Sequence, residues 1–263
     1  MLRRLSIFLL LAYLLACAAI YADQDELVFL PRPLHAENAA GLKDLQLRVP
    51  RPGALLHGWQ INPGKQRLLL YYGGNAEEVS HLAREFAQLG DYSTLLLNYR
   101  GYGLSSGAPG EQALFGDALW VYDQLHHILG YRPRQVILVG RSLGSGVAMH
   151  VASQRNVDGV ALVTPFDSLR AVAAVHYPWL PVSLLLRHPF DSLDAAPGVT
   201  APVQFLLAES DSVVPPDHSE RLAAALPARP RVDTLRGTAH DTVMTGPAFW
   251  SALRGFLDSL QAS

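Results

Sequence analysis

A chain of 263 residues has room for one large α/β domain and too little for two comfortable ones. Its 49% hydrophobic and 17% charged residues exclude a disordered chain. A net charge of −2 without a basic cluster gives no reason to expect nucleic acid, and a single cysteine forbids an intrachain disulfide. No Cys/His grouping has metal-ligand spacing, so neither a metal nor another cofactor is expected.

Arg3-Arg4 precede the run Leu5 to Ala22, which carries no charge and is broken only by Ser6. As a helix the run rises about 27 Å, near the lower limit for crossing a hydrocarbon core. Basic residues before it and Asp23, Asp25 and Glu26 after it predict an N-inside orientation, with the domain on the non-cytoplasmic side. An uncleaved signal anchor is favoured because the apolar run continues beyond any cleavage site. Cleavage using Ala16-Cys17-Ala18 and lipid attachment at Cys17 are the alternatives, and all three export the domain. Residues 1–24 are thus the anchor or signal segment, and 25–263 the folded domain.

Past the anchor, Asp44 to Pro50 and Ala54 to Ile61 read as an antiparallel pair of strands. Arg67 to Tyr72 is a short apolar strand, followed by a helix over Glu77 to Leu89 with Val79, Leu82, Phe86 and Leu89 at helical spacing. Thr94 to Tyr99 is the next strand. A glycine-rich loop, Gly101 to Gly110, leads into one long helix with Leu114, Ala118, Val121, Leu125 and Ile128 on a single face. Strands follow at Val136 to Val139, Gly159 to Val163, Val203 to Leu207 and Val232 to Leu235, and a helix over Phe249 to Leu260 closes the chain. Short apolar strands alternating with amphipathic helices predict a mostly parallel central sheet flanked by helices, an α/β fold. Residues 169–199 break the rhythm. They carry Tyr177-Pro178-Trp179-Leu180-Pro181 and Leu184 to Leu186, too long and apolar for a plain connection. They read as a small cap over the site, the alternative being a helix whose aromatics join the core.

The junction of Val136 to Val139 with Gly140-Arg141-Ser142-Leu143-Gly144 has the form of a nucleophile elbow, a serine held on a sharp strand-to-helix turn. Glycine is wanted two before and two after because the turn crowds both positions. A serine hydroxyl is a poor nucleophile until an imidazole takes its proton, and a carboxylate must orient that imidazole. In this architecture the acid and the histidine come later in the chain, on loops past later strands. Asp211 follows the Val203 to Leu207 strand, and His240 follows the last one. Of the other histidines, His81, His126, His127 and His150 fall on predicted helices, His35 and His57 precede the parallel sheet, His176 and His188 belong to the cap, and His218 opens a helix. Glu209 is the rival acid; Asp167 and Asp191 suit a cap-side role, and Ser145 a helix-packing one. Oxyanion donors are expected from the backbone N–H of Leu143, just after the serine, and of Asn75 in Gly73-Gly74-Asn75-Ala76.

With Tyr72-Gly73-Gly74-Asn75-Ala76, Asn98-Tyr99-Arg100-Gly101-Tyr102-Gly103, the Ser142 pentad, Asp211-Ser212-Val213-Val214-Pro215 and Gly237-Thr238-Ala239-His240-Asp241 in order, the chain resembles an α/β-hydrolase-fold serine hydrolase. More narrowly it is similar to the membrane-anchored bud-emergence branch of the α/β-hydrolase-domain proteins, including the passage Gln24 to Pro31. The family usually has His-Gly-Asn where Gly73-Gly74-Asn75 stands, so a side chain that braces this loop is missing. The resemblance implies hydrolysis of esters or thioesters of small-molecule, lipid or acyl-protein substrates. Peptide or amide cleavage, or a non-catalytic binding role, are the alternatives. Arg141 would attract an anionic group, form a salt bridge or stand as a solvated surface residue, and Tyr177 and Trp179 of the cap would line the substrate pocket. The apolar cap and the tether favour acyl esters at a membrane.

Overall fold

The computed structural model describes residues 2–261. Met1, Ala262 and Ser263, which end the two predicted segments, lie outside the described residues. The chain begins with α1 (Leu2–Val28), a helix of 27 residues that is long and apolar enough to cross a membrane. It outlasts the apolar run because its last turns are held from outside, by contacts of Gln24 and Asp25 described below. A one-turn helix, α2 (Ala36–Ala39), leads to β1 (Gln46–Arg51), β2 (Ala54–Ile61) and β3 (Arg67–Tyr72).

The predicted helix over Glu77 to Leu89 is shorter and tighter than expected, a 3₁₀ turn at Val79–Leu82 followed by α3 (Ala83–Ala87). Its first residues are diverted: the Glu78 carboxylate accepts from the Ser80 amide, and the Asn98 carboxamide accepts from the Val79 amide. After β4 (Tyr92–Leu97), the single long helix foreseen is divided into α4 (Glu111–Asp123) and α5 (Leu125–Leu129). At Gln124 the turn tightens, its N–H shared between the Trp120 and Val121 carbonyls. Then come β5 (Gln135–Arg141), α6 (Leu143–Ala152) and β6 (Gly159–Val163). Residues 169–199 hold three short helices, α7 (Leu169–His176), α8 (Val182–Leu185) and α9 (Ser192–Ala195). The chain closes with β7 (Val203–Ser210), α10 (Pro216–Ala225), β8 (Arg231–Ala239) and α11 (Pro247–Ser259).

The eight strands of the described residues form one sheet in the order β1-β2-β4-β3-β5-β6-β7-β8. β2 is antiparallel to both β1 and β4, and the six strands from β4 to β8 are mutually parallel. Alternate residues of each parallel strand serve opposite faces, as the strand period requires. In β3, Leu68, Leu70 and Tyr72 pack with α4, α6 and α10, whereas Leu69 and Tyr71 pack with α3 and α11. Parallel strands so covered bring their C-terminal ends to one edge, where β3, β5, β7 and β8 deliver the residues singled out in the sequence.

Candidate active site

Ser142 stands between β5 and α6 with φ 49° and ψ −115°, a backbone conformation that costs about 1–3 kcal/mol for a residue with a side chain. The surroundings enforce it. Its N–H donates to the Val163 carbonyl (2.9 Å), and its carbonyl accepts from the Ser145 amide (2.8 Å) and hydroxyl (2.6 Å). A Cβ on Gly140 would fall on the Gly144 carbonyl, and one on Gly144 on the Tyr72 carbonyl, so both must be glycine. Ser145 is fully buried and spends its hydroxyl on this turn, which is the helix-packing role expected of it.

His240, just past β8, places Nε2 3.0 Å from Ser142 Oγ, and its Nδ1 lies 2.8 Å from Asp211 Oδ2. An ionised carboxylate only accepts, so Nδ1 carries the hydrogen and Nε2 offers a lone pair to the serine hydroxyl. The other Asp211 oxygen accepts from the amides of Val213 (2.9 Å) and Val214 (2.8 Å). Burial pushes the Asp211 carboxyl up, but His240 and these two amides outweigh it and hold the group below the usual carboxylate range. Asp211 therefore stays ionised and points one oxygen at the imidazole. Glu209, the rival acid, is turned away to the Gly237 amide (2.8 Å), and Asp191 caps α9. Ser142 itself is half-buried, reachable from outside, while His240 is buried.

The loop after β3 lies against the serine: a Cβ on Gly74 would sit 3.7 Å from that of Ser142. Among the described residues, the amides of Asn75 and Leu143 donate to no protein group, which leaves two N–H donors flanking the serine. The Asn75 side chain is engaged on both its oxygen and its nitrogen. Its Oδ1 accepts from the Tyr102 hydroxyl (2.8 Å) and the Leu30 amide (3.0 Å), and its Nδ2 donates to the Val28 carbonyl (2.6 Å).

Glu77 is a residue that sequence reasoning missed. Its carboxylate accepts from the Gly74 amide (2.6 Å), the Tyr71 hydroxyl (2.7 Å) and the Arg141 guanidinium (3.2 Å), all in the protein interior. It thus braces the loop from inside, where the expected histidine side chain is absent. An acid three residues beyond Gly74 has the spacing of a capping box, and that signal could have found it. Arg141 takes the salt-bridge alternative. Burial opposes its charge, yet the Glu77 carboxylate prevails and raises the guanidinium above its ordinary value. Tyr177 and Trp179 are not core aromatics: they are 51% and 58% exposed, beside α1 rather than against Ser142.

The alpha/beta hydrolase fold family matches this chain over residues 67–183. An uncharacterized protein of Mycobacterium tuberculosis is 34% identical over 250 residues, covering 90% of this chain and 88% of that one. The alpha/beta hydrolase domain-containing protein WAV2 of Arabidopsis thaliana is 29% identical, covering 92% and 89%. An uncharacterized membrane protein of Saccharomyces cerevisiae is 28% identical, covering 92% of each. Among solved structures, a Pyrococcus furiosus esterase superposes with a TM-score of 0.68 at 18% identity, over 88% of this chain and 97% of that one. The enol-lactonase of Burkholderia xenovorans gives 0.62 at 17% identity, over 80% and 99%. At such identities the structural likeness is one of fold. Together these matches make the chain a member of the α/β-hydrolase fold family.

Proposed function

We propose that this protein is a membrane-anchored serine hydrolase that cleaves carboxylic esters or thioesters through an acyl-enzyme. The observation that carries the reading is the unbroken hydrogen-bonded line from Ser142 Oγ through His240 to Asp211, with the serine on a strained turn. Ser142 Oγ attacks the substrate carbonyl carbon while its proton passes to His240 Nε2. The resulting oxyanion is met by the Leu143 and Asn75 amides, donors fixed before the charge develops. As the intermediate collapses, the bond to the leaving alcohol or thiol breaks, and His240 returns the proton to it. Water, deprotonated by His240, then releases the acid and regenerates Ser142. Asp211 holds the tautomer and balances the imidazolium charge.

Several features favour acyl esters over peptides. An exopeptidase needs a spare charge to hold a peptide terminus, and Arg141 is already paired with Glu77. The insertion of residues 169–199, read here as a cap, presents Tyr177, Trp179 and Leu184 outward. Two fold neighbours bear the names esterase and enol-lactonase, both ester chemistries. The α1 helix supplies the tether, Arg3-Arg4 ahead of its apolar run and Asp23, Asp25 and Glu26 behind that run favour a domain on the non-cytoplasmic side, and a yeast relative is described as a membrane protein. The test is hydrolysis of p-nitrophenyl butyrate against an aminoacyl p-nitroanilide, by the detergent-solubilised full chain. Ester turnover that Ser142→Ala abolishes is the expected result. Turnover unchanged in that variant, or confined to the anilide, would refute the proposal.

A further inference from the structure

Residues Tyr177 to Leu186 run for ten positions without a charge, between His176 and the Arg187-His188 pair. Both ends of this tongue are fixed beside the proposed site and the polar end of α1. At one end His176 Nε2 bonds the carbonyl of Val213 (2.8 Å), the residue whose amide holds Asp211. At the other, Arg187 and His188 reach Asp25 Oδ1 (3.0 and 2.7 Å), and the Arg187 guanidinium covers the Tyr21 ring at 5.3 Å. Gln24 closes the join by donating to the Leu185 carbonyl (3.1 Å) and accepting from the Arg187 amide (2.7 Å).

Between these ends the tongue descends along α1. The Tyr13 hydroxyl donates to the Trp179 carbonyl (2.9 Å), and Tyr13 lies about 13 Å along the helix from Ala22, where the apolar run ends. With α1 across a bilayer, Trp179 is therefore within the hydrocarbon layer of one leaflet. The composition suits that medium. Buried in lipid, each backbone polar group must find a partner, and Pro178 and Pro181 have no N–H to satisfy while the Trp179 carbonyl has Tyr13. Trp179 (58% exposed) and Leu184 (81% exposed) would face acyl chains rather than water.

Between tongue and helix lies an apolar cavity of about 350 Å³, within the range of small-ligand sites. Ile20, Leu27 and Val28 wall it on the α1 side, and Ala173, Val182 and Leu185 on the other. One wall is tied to the loop beside Ser142: the Val28 carbonyl is held by the Asn75 side chain, one residue from Gly74 and its close approach to Ser142.

We propose that Tyr177 to Leu186 enter the leaflet beside α1, and that the cavity between them receives the acyl chain of a membrane-resident ester directly from the lipid. This rests on the serine-hydrolase reading and names its substrate class: a lipid of the same bilayer, bound through its chain. The anchor is then one wall of the acyl site as well as a tether.

The test uses the full chain in phosphatidylcholine vesicles. Ala173→Trp and Leu27→Trp, which fill the cavity, should each lower kcat/KM for p-nitrophenyl palmitate relative to p-nitrophenyl butyrate by about tenfold, the effect of excluding two methylenes. The ratio isolates recognition of the long chain, and a far-UV circular dichroism spectrum equal to that of the wild type shows that the variants fold. An unchanged ratio in both variants overturns the proposal. In parallel, phosphatidylcholine bearing a diazirine in its acyl chain should label Val182 and Leu185 in the wild type and lose these adducts in Ala173→Trp. Labelling confined to outward residues of α1 such as Leu11 overturns it as well. If the cavity is labelled while no ester is cleaved, the lipid site stands and the hydrolase reading falls.

Discussion

Among the described residues, two Asp–His pairs sit at the same edge of this sheet, and one of them meets a serine hydroxyl. Asp167, past β6, lies 2.7 Å from His218 Nδ1, and Asp211, past β7, lies 2.8 Å from His240 Nδ1. In both, burial pushes the carboxyl up and the histidine bond helps to bring it below its ordinary value. The company differs. The second oxygen of Asp167 takes the Arg221 guanidinium (2.7 Å), and Arg221 also approaches His218 Nδ1 (2.9 Å), so a fixed positive charge already neutralises the carboxylate. The second oxygen of Asp211 takes two neutral amides, which orient it without cancelling its charge. That charge remains available to an imidazolium, and His240 has Ser142 beyond it. The pair is a shared building unit; what surrounds it separates a proposed reactive site from a clamp joining α10 to the loop after β6.

The widest separation between the pairs should come from deleting the histidines. His240→Ala is expected to lower kcat for p-nitrophenyl butyrate by on the order of 10⁶-fold, as for other members of a serine–histidine unit. His218→Ala should leave kcat within about threefold, because it touches no reacting group. A comparable loss in both would erase the distinction.

Next in size are the carboxylates. Asp211→Asn should cost about 10⁴-fold in kcat by offering the imidazole the wrong partner. Asp167→Ala should act on stability instead, lowering it by roughly 2–4 kcal/mol, since His218, Arg221 and the Ser168 amide all lose their acceptor. Urea unfolding beside steady-state kinetics would show whether the two effects segregate this way.

The smallest effect is one the pairs share. Both carboxyls are lower in the folded than in the unfolded chain, so the unfolded chain takes up protons first as pH falls. Their contribution is complete above the ordinary carboxylate value of 3.8 and is lost as pH falls below it through the folded values. The urea midpoint should therefore drop below about pH 4, and less steeply in an Asp167→Asn, Asp211→Asn double variant. An unaltered slope would mean that other carboxylates govern acid unfolding.

The candidate site was the more legible part of this molecule and its surroundings the less legible, for reasons of sequence distance. Gly159–Val163 read correctly to the residue because a buried strand announces itself as an unbroken apolar run. The meeting of Ser142, Asp211 and His240 was readable because chain order, strand ends and flanking glycines are local signals, although 98 residues separate Ser142 from His240. The helix over Glu77 to Leu89 was overdrawn, since periodicity cannot reveal that Glu77 and Glu78 turn back onto the loop and Asn98. Least legible was the clasp between α1 and the tongue. Its bonds join residues more than 160 positions apart, Tyr13 to Trp179 and Gln24 to Leu185, and no local pattern encodes them. A hydrophobic run reads as an anchor whether or not a second element leans on it.

The most direct measurement of the central claim is a fluorophosphonate reaction with the full chain, followed by mass spectrometry of its peptides. The hydrolase reading expects a single phosphonyl adduct at Ser142, absent in Ser142→Ala, strongly slowed in His240→Ala and retained in His218→Ala. No adduct on a folded chain, or an adduct on a different serine, would contradict it.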